Sequence, residues 1–374
     1  MMIIATSIGI VTYTSLITYL FLGIRKYKPA QLQDNLKPKF SFSIIIPCKN
    51  EEKRLASLLK SIHQLDYSHK HFELIFIDDQ SDDSTYKLLS EFKNENDQLD
   101  IKLLINESSR GKKSAIQLGI NQSNYDYIIT TDADCFLPKG WLAGFNQHLS
   151  VKRSAMIIAP VVYSHTNTFL DRFQHDDFLS LQAVTIATAQ HQKPILCNGA
   201  NLCYEKRVFY EVNGFKSHQD VASGDDILLM ESFLKYKHSV DYINVRVTPV
   251  ITKPMLTWKA LINQRRRWAS KVKLTNSPIN SLLIIVISAF SLVAFTLLIA
   301  SFFDSSHFSL LFMLISAKWI LDYLLFSALA KKITIIVCIR KLMLSSLVYP
   351  VWLIVLAFAL IKKSFIWKGR KYQI

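Results

Sequence analysis

Residues 127–134 read Tyr127-Ile128-Ile129-Thr130-Thr131-Asp132-Ala133-Asp134. A run of β-branched and aromatic residues reads as a buried strand, and this one stops on two carboxylates one residue apart. Open α/β sheets bind ligands beyond the carboxyl ends of their strands. An Asp-x-Asp there supplies hard oxygen ligands that can hold a divalent cation against a diphosphate. A solvated strand-end turn would use the same residues, so the surrounding sequence has to decide.

Upstream, residues 42–47, 72–77 and 101–105 also read as strands. Apolar residues at 55, 58, 59, 62 and 65 have helical spacing, and helices are expected over 83–92 and 112–121. This alternation predicts a largely parallel sheet with helices on both faces. It delivers three polar clusters to one sheet edge: Cys48-Lys49-Asn50-Glu51, Asp78-Asp79-Gln80-Ser81 and Asp132-Ala133-Asp134. Further on, 154–163 reads as a strand and 169–190 as a long helix. Residues 197–215 read as turn, strand and helix, and 227–234 as a short helix.

Apolar stretches bracket this region. Residues 1–24, 280–303 and 342–361 hold no charged side chain, and each is long enough to cross about 30 Å of hydrocarbon as a helix. Residues 305–330 are similar but carry Lys318 and Asp322, one helical turn apart and able to pair. The first stretch lacks a basic leader and a small-x-small cleavage site, and is expected to be an uncleaved helix. Residues 253–275 are basic and amphipathic and are expected to lie in the membrane interface.

The net charge of +15 is not spread evenly. Residues 25–39, 253–273, 331–341 and 362–374 together hold 21 Lys and Arg against one acid, so the rest of the chain is slightly acidic. Basic residues beside apolar spans follow the positive-inside rule, and no nucleic acid partner is expected. The five Cys form no metal-type pair and read as free thiols of a reducing compartment. His165, His175, His191 and His218 show no ligand spacing.

Two downstream groups carry chemistry. Asp225-Asp226 can remove a proton, although acids also suit a helix start. In Gln264-Arg265-Arg266-Arg267-Trp268, an Arg can grip a diphosphate and a Trp can stack on a sugar. Arg265 and Arg266 read as members of an interfacial belt.

The set Ser43-Ile44-Ile45-Ile46-Pro47 with Asn50-Glu51-Glu52, Ile77-Asp78-Asp79-Gln80-Ser81-Asp82-Asp83-Ser84, and Asp132-Ala133-Asp134 resembles glycosyltransferase family 2 over about residues 40–275. Gln264-x-x-Arg267-Trp268 beside apolar spans narrows the resemblance to the membrane-bound branch. That branch holds the cellulose, hyaluronan and chitin synthases and the ceramide glucosyltransferases. The resemblance implies an α/β GT-A (Rossmann-like) nucleotide-sugar domain at 40–252, inserted between the helix at 1–24 and two or three spans at 280–361, with a basic tail at 362–374. It implies that Asp78 or Asp79 receives the uracil N–H and that Lys112 approaches a phosphate. Asp132 would contact the nucleotide, and Asp134 would ligate Mg²⁺ or Mn²⁺. Asp226 would be the general base beside Asp225, with Asn198 and Asn201 on the acceptor side. Gln264, Arg267 and Trp268 would hold the donor.

The expected activity is inverting transfer from a UDP-sugar to a lipid or glycolipid acceptor, on the cytoplasmic face of the cell membrane. Gly224-Asp225-Asp226 departs from the Thr-Glu-Asp of processive synthases, which favours single transfer. A processive polysaccharide synthase is the alternative, and an inactive scaffold or nucleotide-sugar sensor is the non-enzyme alternative. Four simple spans would put the basic tail outside. Either 342–361, with Pro350 breaking it, is therefore re-entrant or interfacial, or 305–330 does not cross simply.

Overall fold

In a computed structural model, residues 2–107, 111–164, 168–218, 224–272, 275, 277–333, 339–361, 364–367 and 370–373 are described. Arg110, His165, Cys338 and parts of the basic stretches at 331–341 and 362–374 lie outside the described residues.

The chain begins with helix α1 (Met2–Lys26), whose last turn carries Arg25 and Lys26. Strand β1 (Ala30–Gln31) follows. The first sheet units are β2 (Phe42–Cys48), α2 (Leu55–Ile62), β3 (Phe72–Asp78), α3 (Thr85–Asn94), β4 (Ile101–Ile105), α4 (Lys112–Asn121) and β5 (Tyr127–Thr130). Next come α5 (Trp141–Val151), β6 (Met156–Ile158), β7 (Val161–Tyr163), α6 (Phe169–Gln190), β8 (Leu202–Glu205), α7 (Lys206–Glu211) and α8 (Ile227–Lys235). The short strands β9 (Val240–Tyr242), β10 (Val245–Arg246) and β11 (Val250–Thr252) lead to α9 (Trp258–Val272). The C-terminal region is α10 (Pro278–Ala300), α11 (His307–Ile333), α12 (Ile339–Ile361), β12 (Ser364–Trp367) and β13 (Arg370–Gln373).

Among the described residues, seven strands form the main sheet in the order β4-β3-β2-β5-β8-β6-β9. Strands β2 to β5 run parallel, with Ile44 opposite Leu74 on one side and Ile129 on the other. Ile44, Ile45 and Ile46 have no exposed surface, as expected for parallel strands covered on both faces. The sheet is mixed rather than wholly parallel, because β8 pairs antiparallel with both β5 and β6. The stretch 154–163 is two strands, not one. Pro160 cannot donate to a ladder, so β6 stays in the main sheet and β7 leaves it to pair with β11.

Among the described residues, four helices are long and apolar enough to cross a membrane: α1, α10, α11 and a segment of α12. Helix α1 packs against α10 and α11, and also against α6 of the sheet domain. Gly23 permits that last contact, since a β-carbon there would stand 2.6 Å from the Ala187 Cα. Lys318 and Asp322 do pair, and the Tyr13 hydroxyl donates to the second oxygen of Asp322. Pro350 lies inside α12 without ending it, because packing against α6, α9 and α10 holds the helix through the missing hydrogen bond. Near the start of α12, Ser345 donates to Asp176 of α6 at 2.6 Å. Just beyond its end, the Ser364 carbonyl accepts from Arg266 of α9. The β12–β13 hairpin falls in what the sequence showed only as a basic tail.

Candidate active site

Cys48 pairs with Asp78 at the ends of β2 and β3, and Thr130 ends β5 alongside. The three polar clusters therefore emerge at one edge, as the strand reading required. A cavity of about 290 Å³ opens there. Asp79, Lys112, Asp132 and Asp134 line its sheet side, Asn198, Asp225 and Asp226 its middle, and Gln264, Arg267 and Trp268 its far wall.

Lys112 opens α4 and is the electrostatic centre of the site. Its Nζ lies 2.7 Å from Asp132 Oδ1 and 3.0 Å from Asp225 Oδ2. Burial pushes its pKa down, but Asp132, Asp225 and Asp226 outweigh that and raise it, so the ammonium persists at any physiological pH. One lysine thus ties the strand-end acidic motif to the acidic pair before α8. Gly199 makes room for this cluster: a β-carbon there would sit 3.1 Å from Asp225 Oδ2.

Asp226 is the N-cap of α8. Its Oδ1 accepts from Ile227 N at 2.8 Å, and its Oδ2 from Gly199 N at 3.3 Å. Capping explains why an acid is favoured at this position, and it also fixes the carboxylate toward the cavity. Gly224 adopts φ +89°, a conformation open to glycine, which accounts for the departure from Thr at that position.

Asp78 and Asp79 differ. Asp79 lines the cavity, and its Oδ1 accepts from Asn106 at 2.6 Å. Asp78 is buried beside it. Its Oδ2 accepts from Ser81 N at 3.0 Å, and among the described residues nothing donates to its Oδ1. Asn198 faces the cavity. Asn201 does not: its Oδ1 accepts from Trp141 Nε1 and its Nδ2 donates to the Pro160 carbonyl, both at 2.8 Å.

Lys49 and Arg54 of the cavity lining were not singled out individually from the sequence. Lys49 donates to the carbonyls of Asp79 and Gln80. Arg54 stands 3.6 Å from both Glu51 and Asp134. A helix-start basic residue such as Arg54 carries no local signal, and only the fold brings it to Asp134.

The expectation for Arg265 and Arg266 is corrected. Both are buried rather than spread along a membrane surface. Arg265 Nε donates to Asp177 of α6 at 3.0 Å, its Nη1 to Gln264 Oε1 at 2.8 Å, and its guanidinium lies 4.1 Å from the centre of the Trp268 ring. Burial lowers its pKa, and Asp177 more than offsets that. The reason is tertiary: α9 packs against α12 and α6, so its basic face meets acidic protein instead of headgroups. Arg265 thereby holds Gln264 and Trp268 in place, while Arg267 faces the cavity.

A divalent cation fits the pair Asp132 and Asp134. Each carboxylate already has a side-chain cation beside it, Lys112 and Arg54 respectively. Among the described residues no group of three His, Cys, Asp or Glu converges, so the other ligands would come from a bound diphosphate or water.

Residues 43–211 match the family described as Glycosyl transferase family 2. The chain is 37% identical over 92 residues to a poly-beta-1,6-N-acetyl-D-glucosamine synthase of Staphylococcus epidermidis, covering 25% of this chain and 21% of that one. It is 42% identical over 96 residues to an undecaprenyl-phosphate 4-deoxy-4-formamido-L-arabinose transferase of Proteus mirabilis, covering 25% and 28%. The matched stretch thus spans less than a third of the length of either curated relative. A solved mannosyltransferase of Pyrobaculum calidifontis, in complex with GDP-Man and Mn²⁺, superposes with a TM-score of 0.60 at 15% identity, over 93% of this chain and 99% of that one. At that identity the likeness is one of fold. The sheet and these matches together give residues 43–211 a likeness to glycosyltransferase family 2, on a GT-A fold flanked by helices long and apolar enough to cross a membrane.

Proposed function

We propose that this protein is a metal-dependent, inverting glycosyltransferase that moves one sugar from a nucleotide-sugar to a lipid or glycolipid acceptor at a membrane surface. The observation that carries this reading is convergence. Asp132 and Asp134, Asp225 and Asp226, and Gln264, Arg267 and Trp268 stand far apart in sequence and line one cavity.

Asp78 and Asp79 would take the base of the nucleotide, since Asp78 Oδ1 offers a buried acceptor to an N–H. Uracil suits that role, which favours a UDP-sugar. Asp132 and Asp134 would hold Mg²⁺ or Mn²⁺, which would offset the charge that builds on the departing nucleoside diphosphate. Arg267 adds a forked cation for the same oxygens, and Trp268 a flat apolar face for the sugar. Asp225 is tied to Lys112, which it shares with Asp132, whereas Asp226 is oriented by two backbone N–H groups. Asp226 would therefore receive the acceptor's hydroxyl proton as that oxygen attacks the anomeric carbon from the side opposite the diphosphate. Asn198 is placed to bond acceptor hydroxyls, and Asn201 to brace the loop through Trp141.

The proposed setting is a cell membrane with the catalytic domain on the cytoplasmic face. Helices α1, α10 and α11 would cross. Helix α12 would lie along the membrane surface, because Ser345 near its start and Ser364 beyond its end both bond to elements joined to the catalytic domain. That arrangement returns the basic tail to the cytoplasmic side, as the positive-inside rule requires.

The test is turnover by the full chain in lipid nanodiscs, with radiolabelled UDP-sugars, Mn²⁺ and extracted membrane lipids. A single labelled lipid product, lost on chelation and in Asp134→Ala, is expected. A polysaccharide ladder would favour the processive alternative. Failure to bind any nucleoside diphosphate would leave a scaffold.

A further inference from the structure

Resting on the transferase reading above, we propose that a second cavity beneath the catalytic domain holds the acceptor's hydrocarbon tail, and that the acceptor is a lipid whose polar end is an uncharged hydroxyl group. The cavity measures about 260 Å³ and lies among α1, α10, α11, α6 and α12. Its walls are largely aliphatic, with Leu16, Leu20, Ile287, Leu325 and Leu342 among them. Such a wall suits hydrocarbon and offers a sugar chain few partners.

Two observations connect it to catalysis and to lipid. Leu181 of α6 and Leu196 line both this cavity and the catalytic one, so the two adjoin. Leu196 lies three residues before Gly199, whose N–H holds Asp226. On the opposite side, Ile284 of α10 lines the cavity while 49% of its surface is exposed, giving a sideways opening at the level of a membrane-length helix. A lipid entering there would leave its tail among the helices and send its polar end past the two leucines.

Charge selects that polar end. Asp176, Asp177 and Asp322 line the cavity, and among the described lining residues Lys318 is the one lysine or arginine. Lys318 is held by Asp322, and Asp177 is held by Arg265. Asp177 lies one turn before Leu181, so a carboxylate stands beside the passage. On its way past Asp177, a lipid phosphate would have to give up water next to carboxylates in a lining whose one lysine is already paired, which is costly. A hydroxyl meets no such penalty. The base agrees: a phosphate is already an anionic nucleophile, whereas a hydroxyl needs the proton acceptor that Asp226 supplies.

The test is photo-crosslinking of the full chain in nanodiscs with a diacylglycerol carrying a diazirine in one acyl chain. Donor binding is measured separately by calorimetry with UDP and Mn²⁺. Adducts are expected on Ile287, Leu325 and their cavity neighbours. Unlabelled dioleoylglycerol should compete and undecaprenyl phosphate should not. Ile287→Trp, which fills the space, should reduce labelling at least tenfold and leave the UDP affinity unchanged. Adducts confined to outward residues such as Ile285 and Leu292 would overturn the cavity's role. Stronger competition by undecaprenyl phosphate would overturn the uncharged headgroup. Elongating glycans shortened by Ile287→Trp would make the cavity a polymer conduit and overturn the proposal. A wild-type protein that binds no UDP breaks the transferase reading, whereas misplaced adducts in a protein that does bind it break the lipid cavity alone.

Discussion

Lys112 shows how one side chain sets the chemistry of the cavity. It pairs with Asp132 and Asp225 together, so the strand-end motif and the pair before α8 form a single electrostatic unit. Asp134 stands farther from its side-chain cation, 3.6 Å from Arg54, than Asp132 does from Lys112 at 2.7 Å, and is the carboxylate expected to grip a metal ion. Asp134→Ala is expected to abolish metal-dependent UDP binding in calorimetry; unchanged affinity and metal dependence would place the cation elsewhere. The acidic motifs were legible in the sequence because each sits at a strand end or helix start with a recognisable pattern. Arg54 was not, since its partner lies about 80 residues away, and Asn201 looked like a ligand until its amide proved committed to Trp141 and Pro160. A further residue-scale consequence concerns His148. Burial, only partly offset by Asp241, pushes its pKa down to about 4 from 6.5. The unfolded chain then binds more protons between those values, so this contribution to stability is present above pH 6.5 and is lost as the pH falls toward 4. Urea titrations of wild type and His148→Gln across that window should show a shallower acid loss in the variant.

At the scale of elements, α6 is the beam that joins the candidate site to the membrane-length helices. It touches α1 through Ala187, α12 through Asp176 and α9 through Asp177. The buried Asp177–Arg265 pair positions Gln264 and Trp268, a task invisible in a sequence where three consecutive arginines precede a tryptophan. Breaking a buried pair from one side costs about 3–5 kcal/mol, and replacing both partners with apolar residues is often neutral. Asp177→Leu alone should therefore destabilise strongly, while Asp177→Leu with Arg265→Met should regain stability and still turn over poorly, because Gln264 loses its donor. Thermal unfolding beside kcat separates the two effects; full activity in the double variant would remove the positioning role. The same logic applies to Lys318 and Asp322. An unpaired charge at a helix centre costs about 2.5–3.5 kcal/mol on insertion scales, so Lys318→Leu should harm more than the double change to Leu. The helix periods of α4 and α6 were read to the residue. The 154–163 segment was not, since a proline decides there between one strand and two.

For the whole molecule, the apolar stretches, the strand–helix alternation and the juxtamembrane bases gave the architecture, because each is a pattern over many residues. They could not say that α12 returns to α9, which depends on which helix faces pack. If α12 lies along the membrane surface, a tag after residue 374 and the catalytic domain should be accessible from the same side of sealed vesicles; opposite accessibility would make α12 a fourth crossing. What the assembled protein does rests most on one carboxylate. Steady-state transfer by Asp226→Asn, measured in nanodiscs beside its UDP–Mn²⁺ affinity, is the most direct measurement. The amide oxygen can still accept from Ile227 N and the side chain loses basicity, so kcat should fall by about 10²–10⁴-fold with donor affinity unchanged, and Asp225→Asn should lose less. Turnover by Asp226→Asn at the wild-type rate would contradict the mechanism and place the base outside Gly224-Asp225-Asp226.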